Sequence, residues 1–156
     1  MNDRRFYHAV VATITVALFM IAVGFANIGI ANAHHVPVPD TISDQDAFDI
    51  ARAEFDAQVA IASESLSLYA SATSADEKAT TGNIVETALT VGIDHMAGLD
   101  VRDCFALWHR AASDLFLFTA DGLIASRSGT PNAYADSNAV YSVVTSPYFV
   151  TLFDCS

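Results

Sequence analysis

Two adjacent histidines, His34 and His35, directly follow a stretch of small residues. Ala31 and Ala33 occupy the small-x-small positions that signal peptidase recognises, so cleavage after Ala33 would make His34 the first residue of the mature protein. An amino-terminal histidine chelates copper through its amine and its ring, and imidazole is a ligand that suits Cu(II). His34 and His35 therefore define a hypothetical copper site. The alternative, which we favour, is a polar mature end that holds no cofactor.

His95 and His109 are the other histidines beyond the cut. Either ring could complete a three-nitrogen copper site, act as a general base, or stack on a ligand beside Trp108. A general base needs a nucleophile or a metal nearby, and the sequence has no Gly-x-Ser-x-Gly, His-Glu-x-x-His or phosphate-binding glycine motif. We therefore expect a protein without catalytic activity. Trp108 and His109 are candidate ligand contacts, with burial of Trp108 in the core as the alternative.

Four aspartates, Asp40, Asp44, Asp46 and Asp49, crowd a short segment that could collect a hard cation such as Ca²⁺. The spacing begins like a calcium loop, but Phe48 occupies the next ligand position and no glycine follows. Carboxylates at the amino end of a helix are also favoured by the helix dipole, by about 0.3 to 1 kcal/mol each. We interpret this cluster as the start of a helix.

The chain has two cysteines, Cys104 and Cys155. Both lie in the part that would be exported, and oxidising compartments favour disulfides. The sequence therefore predicts a Cys104–Cys155 disulfide. Closing a loop of about fifty residues would stabilise the fold by roughly 4 kcal/mol.

Arg4 and Arg5 precede a long apolar stretch, Ala9 to Ala26, and no further charged residue occurs before Asp40. A basic start, an apolar run and a small-residue cut site together form an export signal. We predict that residues 1–33 are a signal peptide and that the protein is secreted or held in the cell envelope. The alternative is an uncleaved single-pass anchor with its amino end in the cytoplasm, because the run is nearly long enough to span a bilayer.

The predicted mature protein is strongly acidic. The whole chain has 18 acidic and 7 basic residues and a net charge of −11, and removing residues 1–33 takes away one acid and two bases. Such a surface repels phosphate backbones and anionic lipids. We therefore expect no nucleic-acid partner, and membrane contact only through the N-terminal segment.

The remaining residues are enough for one domain, predicted at 43–156 after an extended, proline-containing linker at 34–42. Ser43 is placed to cap a helix of about 28 residues, and the apolar positions that follow recur at steps of three and four. Ser74 and Glu77 form a capping box for a second helix that ends near Gly98. Asp100 is placed to cap a third helix that runs to about Ser113.

Beyond Asp114 the pattern changes, and we predict a hairpin of two strands, 115–119 and 123–126, joined by an Asp-Gly turn. The alternative is a helix that continues to Ala120 and is capped by Gly122. A loop at 128–138 and strands at 141–145 and 148–153 complete the prediction. The expected fold is α+β and helix-rich, with about three N-terminal helices and a small C-terminal antiparallel sheet. The alternative is an all-α bundle with short C-terminal strands.

Taken together, these patterns predict an exported, acidic, non-catalytic domain that binds a macromolecule or ligand outside the cytoplasm. Two other hypotheses stay open. The first is a copper-binding protein that uses a mature N-terminal histidine. The second is a membrane-anchored extracytoplasmic sensor or small hydrolase, which an uncut anchor would favour.

Overall fold

The computed structural model describes residues 42–150, which belong to one compact unit of the chain, Pro37–Ser156. The predicted signal peptide, most of the linker, the His34–His35 pair, Asp40 and Cys155 lie outside the described residues. No helix within 42–150 is long and apolar enough to span a membrane.

Helix α1 spans Asp44–Ser71, so the long first helix is confirmed. The Ser43 hydroxyl accepts a hydrogen bond from the backbone N–H of Asp46 at 3.1 Å, which satisfies one donor that the first turn leaves free. One face of α1 is buried, and its residues recur at helical spacing: Ala47, Phe48, Ala51, Phe55, Gln58, Ala62 and Ser65.

Helix α2 spans Ala75–Gly98 and begins with the predicted capping box. The Ser74 hydroxyl accepts from the backbone N–H of Glu77, and the Glu77 carboxylate accepts from the backbone N–H of Ser74. Gly92, in the second half of α2, lies against the ring of Phe116. A Cβ at this position would lie 2.6 Å from that ring, so the glycine permits close helix packing.

The predicted hairpin after Asp114 is wrong. A short 3₁₀ turn, Asp103–Phe105, leads into helix α3, which spans Ala106–Arg127. Its core-facing residues, among them Leu115, Phe116, Thr119 and Leu123, recur at helical spacing. The segment resembles a strand because Leu117 and Phe118 add apolar side chains on the exposed face.

Gly122 is not a turn residue either, and it does not cap α3. It lies inside the helix and makes room for Tyr134, whose ring would be 2.5 Å from a Cβ at this position. The helix ends five residues later. Gly129 has a φ of 78°, the left-handed conformation that commonly follows a helix end.

The C-terminal strands are also wrong within the described residues. Helix α4 spans Ala135–Val144 and helix α5 spans Pro147–Val150, while residues 151–153 lie outside the described part. The described residues 42–150 contain no strand, so the α+β class with a C-terminal antiparallel sheet is corrected to all-α. β-Branched and aromatic residues at 141–149 suit a strand, but Val144 and Phe149 reach the core from helices.

The core lies between α1, α2 and α3. Helix α2 packs on both α1 and α3, and α4 packs on α3. Four aromatic rings join α1 to α3. Trp108 contacts Phe48 with a centroid distance of 4.9 Å and Phe55 at 5.6 Å, and Phe55 contacts Phe116 at 6.1 Å. All of these contacts are edge-to-face, a geometry that aromatic pairs prefer.

Candidate functional site

An open groove of about 260 Å³ lies where α4 and α1 both face α3. This volume is slightly below the range of roughly 300–1,000 Å³ that is common for ligand pockets. The groove therefore has room for a small molecule only. Its lining comes from three helices: Val59, Ala62, Ser63 and Leu66 of α1, Leu115, Phe116 and Thr119 of α3, and Ser137, Asn138 and Tyr141 of α4.

The floor of the groove is mostly apolar but contains two hydroxyl groups. Thr119 of α3 and Ser137 of α4 are only 6 % and 7 % exposed, and their hydroxyl oxygens lie 2.6 Å apart. The Thr119 hydroxyl also lies 2.7 Å from the backbone carbonyl oxygen of Leu115. These hydrogen bonds hold α4 to α3 and place polar atoms beside the apolar side chains that line the groove.

The rim of the groove is polar and exposed. Ser63, Asn138 and Tyr141 lie there, and none of the lining residues is acidic or basic at neutral pH. An apolar groove with a few converging polar groups is the usual composition of a small-molecule site. The polar lining residues carry hydroxyl and amide groups, which can form hydrogen bonds with a ligand.

The position of α4 depends on the loop after α3. Tyr134, just before α4, packs its ring over Gly122, where α3 has no side chain. Burial raises the pKa of the Tyr134 phenol above its usual value. The side chain therefore stays neutral and serves to fix the start of α4, which forms one side of the groove.

Trp108 and His109, the candidate ligand contacts from the sequence, do not line this groove. The Trp108 side chain is fully buried in the aromatic core. His109 Nε2 lies 2.7 Å from the carbonyl oxygen of Met96. Because a carbonyl only accepts, this ring nitrogen donates, and His109 satisfies a carbonyl near the end of α2.

His95 also has a partner within the bundle. Its Nε2 lies 3.1 Å from a carboxylate oxygen of Glu54, which links α2 to α1. In residues 42–150 no three His, Cys, Asp or Glu side chains are grouped so that they could hold a metal. The copper site at His34 and His35 lies outside the described residues and stays a prediction.

The described aspartates at the start of α1 are hydrogen-bonded to protein groups. Asp44 pairs with Arg102 at 2.6 Å, and a second nitrogen of Arg102 donates to the carbonyl oxygen of Ile42. Asp46 accepts from the Ser43 hydroxyl, and Asp49 accepts from the Gln45 amide. The ion pair between Asp44 and Arg102 joins the start of α1 to the segment before α3. Asp44 and Asp46 lie in the first turn of α1, so these aspartates mark the start of a helix.

Cys104 lies in the 3₁₀ turn before α3 and is disulfide-bonded. Cys155 lies outside the described residues. The pairing stays a prediction, and it is the pairing that a chain with two cysteines allows within itself.

Sequence reasoning missed the groove. The sequence pattern predicts Thr119 in a hairpin, Ser137 in a loop and Tyr141 in a strand, and this prediction gives no reason for the three residues to meet. The signal that could have indicated the groove is the position of Thr119 and Ser137 on the buried faces of helices α3 and α4. A hydroxyl at a core-facing helical position requires a partner, and each of these residues is the partner of the other.

A second apolar surface lies on the solvent side of α3. Leu107, Leu117, Phe118 and Ile124 are all exposed there, with Leu107 at 67 % and Ile124 at 64 %. Asp121 and Arg110 lie on the same face. We refer to this surface as the outer face of α3.

Comparison with known proteins adds no relative. No family model matches the chain, and neither a curated protein nor a solved structure is significantly similar to it.

Proposed function

We propose that this protein is an exported, non-catalytic domain that binds a small, mostly apolar molecule in the groove between α1, α3 and α4. The observation that carries the proposal is the composition of the groove. It combines apolar walls with two buried hydroxyls at its floor, in a volume of about 260 Å³. This arrangement orients a ligand without supplying groups that would react with it.

Export is the second part of the proposal and rests on the N-terminal sequence. The basic start, the apolar run and the small residues before His34 are typical of a signal peptide. The mature chain would meet its ligand outside the cytoplasm, in the medium or in the envelope. Its negative charge would keep it soluble there.

Titration with octan-1-ol tests groove binding. This probe has an apolar chain and one hydroxyl, and it is small enough for the groove. The protein would be purified in the form that cells produce after processing the N-terminal segment. Its amide resonances would be followed by two-dimensional NMR. We expect saturable shifts that centre on Leu66, Thr119 and Ser137.

Two tryptophan substitutions on α1 provide matched controls. Ser63 and Ala57 are both exposed, but Ser63 lies on the groove and Ala57 lies on the opposite side of the helix. Ser63→Trp should fill the groove and weaken octan-1-ol binding by about tenfold or more, since it removes the apolar contact surface. Ala57→Trp should leave the dissociation constant unchanged. Equal effects of the two variants would refute groove binding.

A further inference from the structure

We infer that the groove selects a ligand whose apolar body ends in a hydrogen-bond donor, such as an alcohol or an ammonium group, over one that ends in a carboxylate or an ether. This inference rests on the proposed function and specifies the ligand class. It follows from where the protons of Thr119 and Ser137 must lie.

Each hydroxyl has one proton to donate and two lone pairs to accept with. Thr119 Oγ1 lies 2.7 Å from the carbonyl oxygen of Leu115, and this oxygen has no proton. The Thr119 proton must therefore point to Leu115 if this short contact is a hydrogen bond. The proton of the 2.6 Å contact between the two hydroxyls must then come from Ser137.

Both hydroxyl protons at the floor are used in this arrangement. Thr119 accepts from Ser137 and donates to Leu115, while Ser137 donates and receives nothing within the pair. The lone pairs of Ser137 remain for a ligand. A ligand that brings a donor to the floor completes this chain of hydrogen bonds, and each added bond polarises its neighbours in the same sense.

A ligand that ends in an acceptor meets the opposite situation. A carboxylate or ether oxygen would face oxygen lone pairs at the floor, and burial of an unpaired polar group costs free energy. No lining residue is basic, and the net charge of the chain is −11, so the surrounding field also disfavours an anion. Asn138 and Tyr141 can donate, but they lie at the exposed rim, where water competes for them.

Two probes of equal size isolate the donor. Octan-1-ol and heptyl methyl ether have the same number of carbon atoms and one oxygen each, but the ether has no proton to donate. Both compounds would be titrated into the protein after it has been processed by cells and purified. Octanoate would be titrated in the same way as a third probe. We expect the alcohol to bind about 3-fold to 10-fold more tightly than the ether, the worth of one hydrogen bond, and octanoate to bind most weakly.

Variants at the floor connect this preference to the two hydroxyls. Thr119→Val combined with Ser137→Ala removes both groups at nearly constant shape, which keeps the cost to stability small. The double variant should bind alcohol and ether equally. Thr119→Ser keeps the hydroxyl, so it should retain the preference for the alcohol. A thermal unfolding curve of each variant confirms that it is folded.

The outcomes separate the inference from the function on which it rests. If alcohol and ether bind equally in the groove of the unmodified protein, the donor inference is wrong and groove binding stands. If none of the three probes shifts groove resonances, the proposed function fails as well. If the preference survives in the folded double variant, the two hydroxyls are not its source and the inference is wrong.

Discussion

Gly92 determines how closely α2 can approach α3. A Cβ at this position would lie 2.6 Å from two ring carbons of Phe116, a side chain that is itself buried against Phe55. The Phe116 ring is buried and is not the end of a flexible side chain, so it cannot move away to relieve the clash. The absence of a side chain at residue 92 is therefore a packing requirement, although glycine costs about 1 kcal/mol of helix propensity.

Gly92→Ala should lower the free energy of unfolding by about 1 to 3 kcal/mol, because overpacking outweighs the gain in helix propensity. Chemical denaturation measures the change. Gly98→Ala is the matched control in the same helix, since no atom lies within 4 Å of a Cβ at that position. Equal effects of the two substitutions would contradict the packing argument.

Gln58 is a polar residue in the buried face of α1. It is 2 % exposed, and its side-chain carbonyl oxygen accepts no hydrogen bond. A buried acceptor without a partner costs about 1 to 3 kcal/mol. Gln58→Leu should therefore stabilise the protein by about 1 kcal/mol in the same denaturation assay. A loss of more than about 1 kcal/mol would mean that Gln58 has a role that its described contacts do not explain.

Single residues also show what the sequence could and could not predict of the site. Ser43, Ser74 and Glu77 act within one turn of the backbone, so their capping roles could be predicted from local spacing. The meeting of Thr119 with Ser137 spans eighteen positions and depends on how α4 folds back on α3. Contacts of this kind are decided by tertiary packing, and a single sequence does not contain them explicitly.

At the scale of whole elements, α1 and α2 were predictable because each has a cap and one apolar face. The first part of α3, up to Ser113, was predicted as a helix, but the part after Asp114 was not. Leu117 and Phe118 are exposed and apolar there, on the side where a helix usually carries polar residues. Four consecutive apolar residues then mimic a buried strand, and Gly122 mimics a turn. The competing prediction of a continued helix was closer, but it ended α3 at Ala120, seven residues early.

The capping box of α2 makes stability depend on pH. Hydrogen bonds from the backbone N–H groups of Thr73 and Ser74 lower the pKa of Glu77 from 4.5 to about 2. The folded state therefore favours the ionised carboxylate. Its contribution to stability is complete above pH 4.5 and is lost as the pH falls toward 2.

Glu77→Ala should be less stable than the unmodified protein at pH 7, and this difference should shrink between pH 4.5 and pH 2. Urea unfolding at several pH values measures it. Ser74→Ala is the control, because its cost of about 1 kcal/mol comes from a hydroxyl that does not titrate and that contributes least among the contacts that lower the Glu77 pKa. A Glu77→Ala difference that stays constant down to pH 2 would contradict the capping role of the carboxylate.

At the scale of the whole molecule, the described helices form a bundle whose last helices are short. Helices α4 and α5 have 10 and 4 residues, too few to be stable alone. Helix α4 therefore depends on its packing against α3, and α5 contacts α4. A disulfide from Cys104 to Cys155 would tie the chain end to the start of α3. The bond would thereby support α3, whose residues Leu115, Phe116 and Thr119 line the groove.

Cys155→Ser should lower the free energy of unfolding by roughly 4 kcal/mol, the value for closing a loop of about fifty residues. Treatment of the unmodified protein with a reducing agent should cause the same loss. Thermal unfolding with and without the reducing agent measures both. Identical midpoints for oxidised and reduced protein would show that the predicted bond is absent or carries no stability.

Within residues 42–150, the groove and the outer face of α3 are both apolar surfaces that could bind a small ligand. The groove surrounds its occupant with three helices and adds buried hydroxyls, whereas the outer face offers contact on one side only. Burial of more apolar area gives tighter binding, so we expect the ligand in the groove.

The most direct test of this claim is a measurement of intermolecular nuclear Overhauser effects between octan-1-ol and the methyl groups of the protein. Binding in the groove predicts contacts from the octyl chain to the methyls of Val59, Leu66 and Leu115, which line the groove. Contacts to Leu107, Leu117 and Ile124 instead, on the outer face of α3, would contradict it.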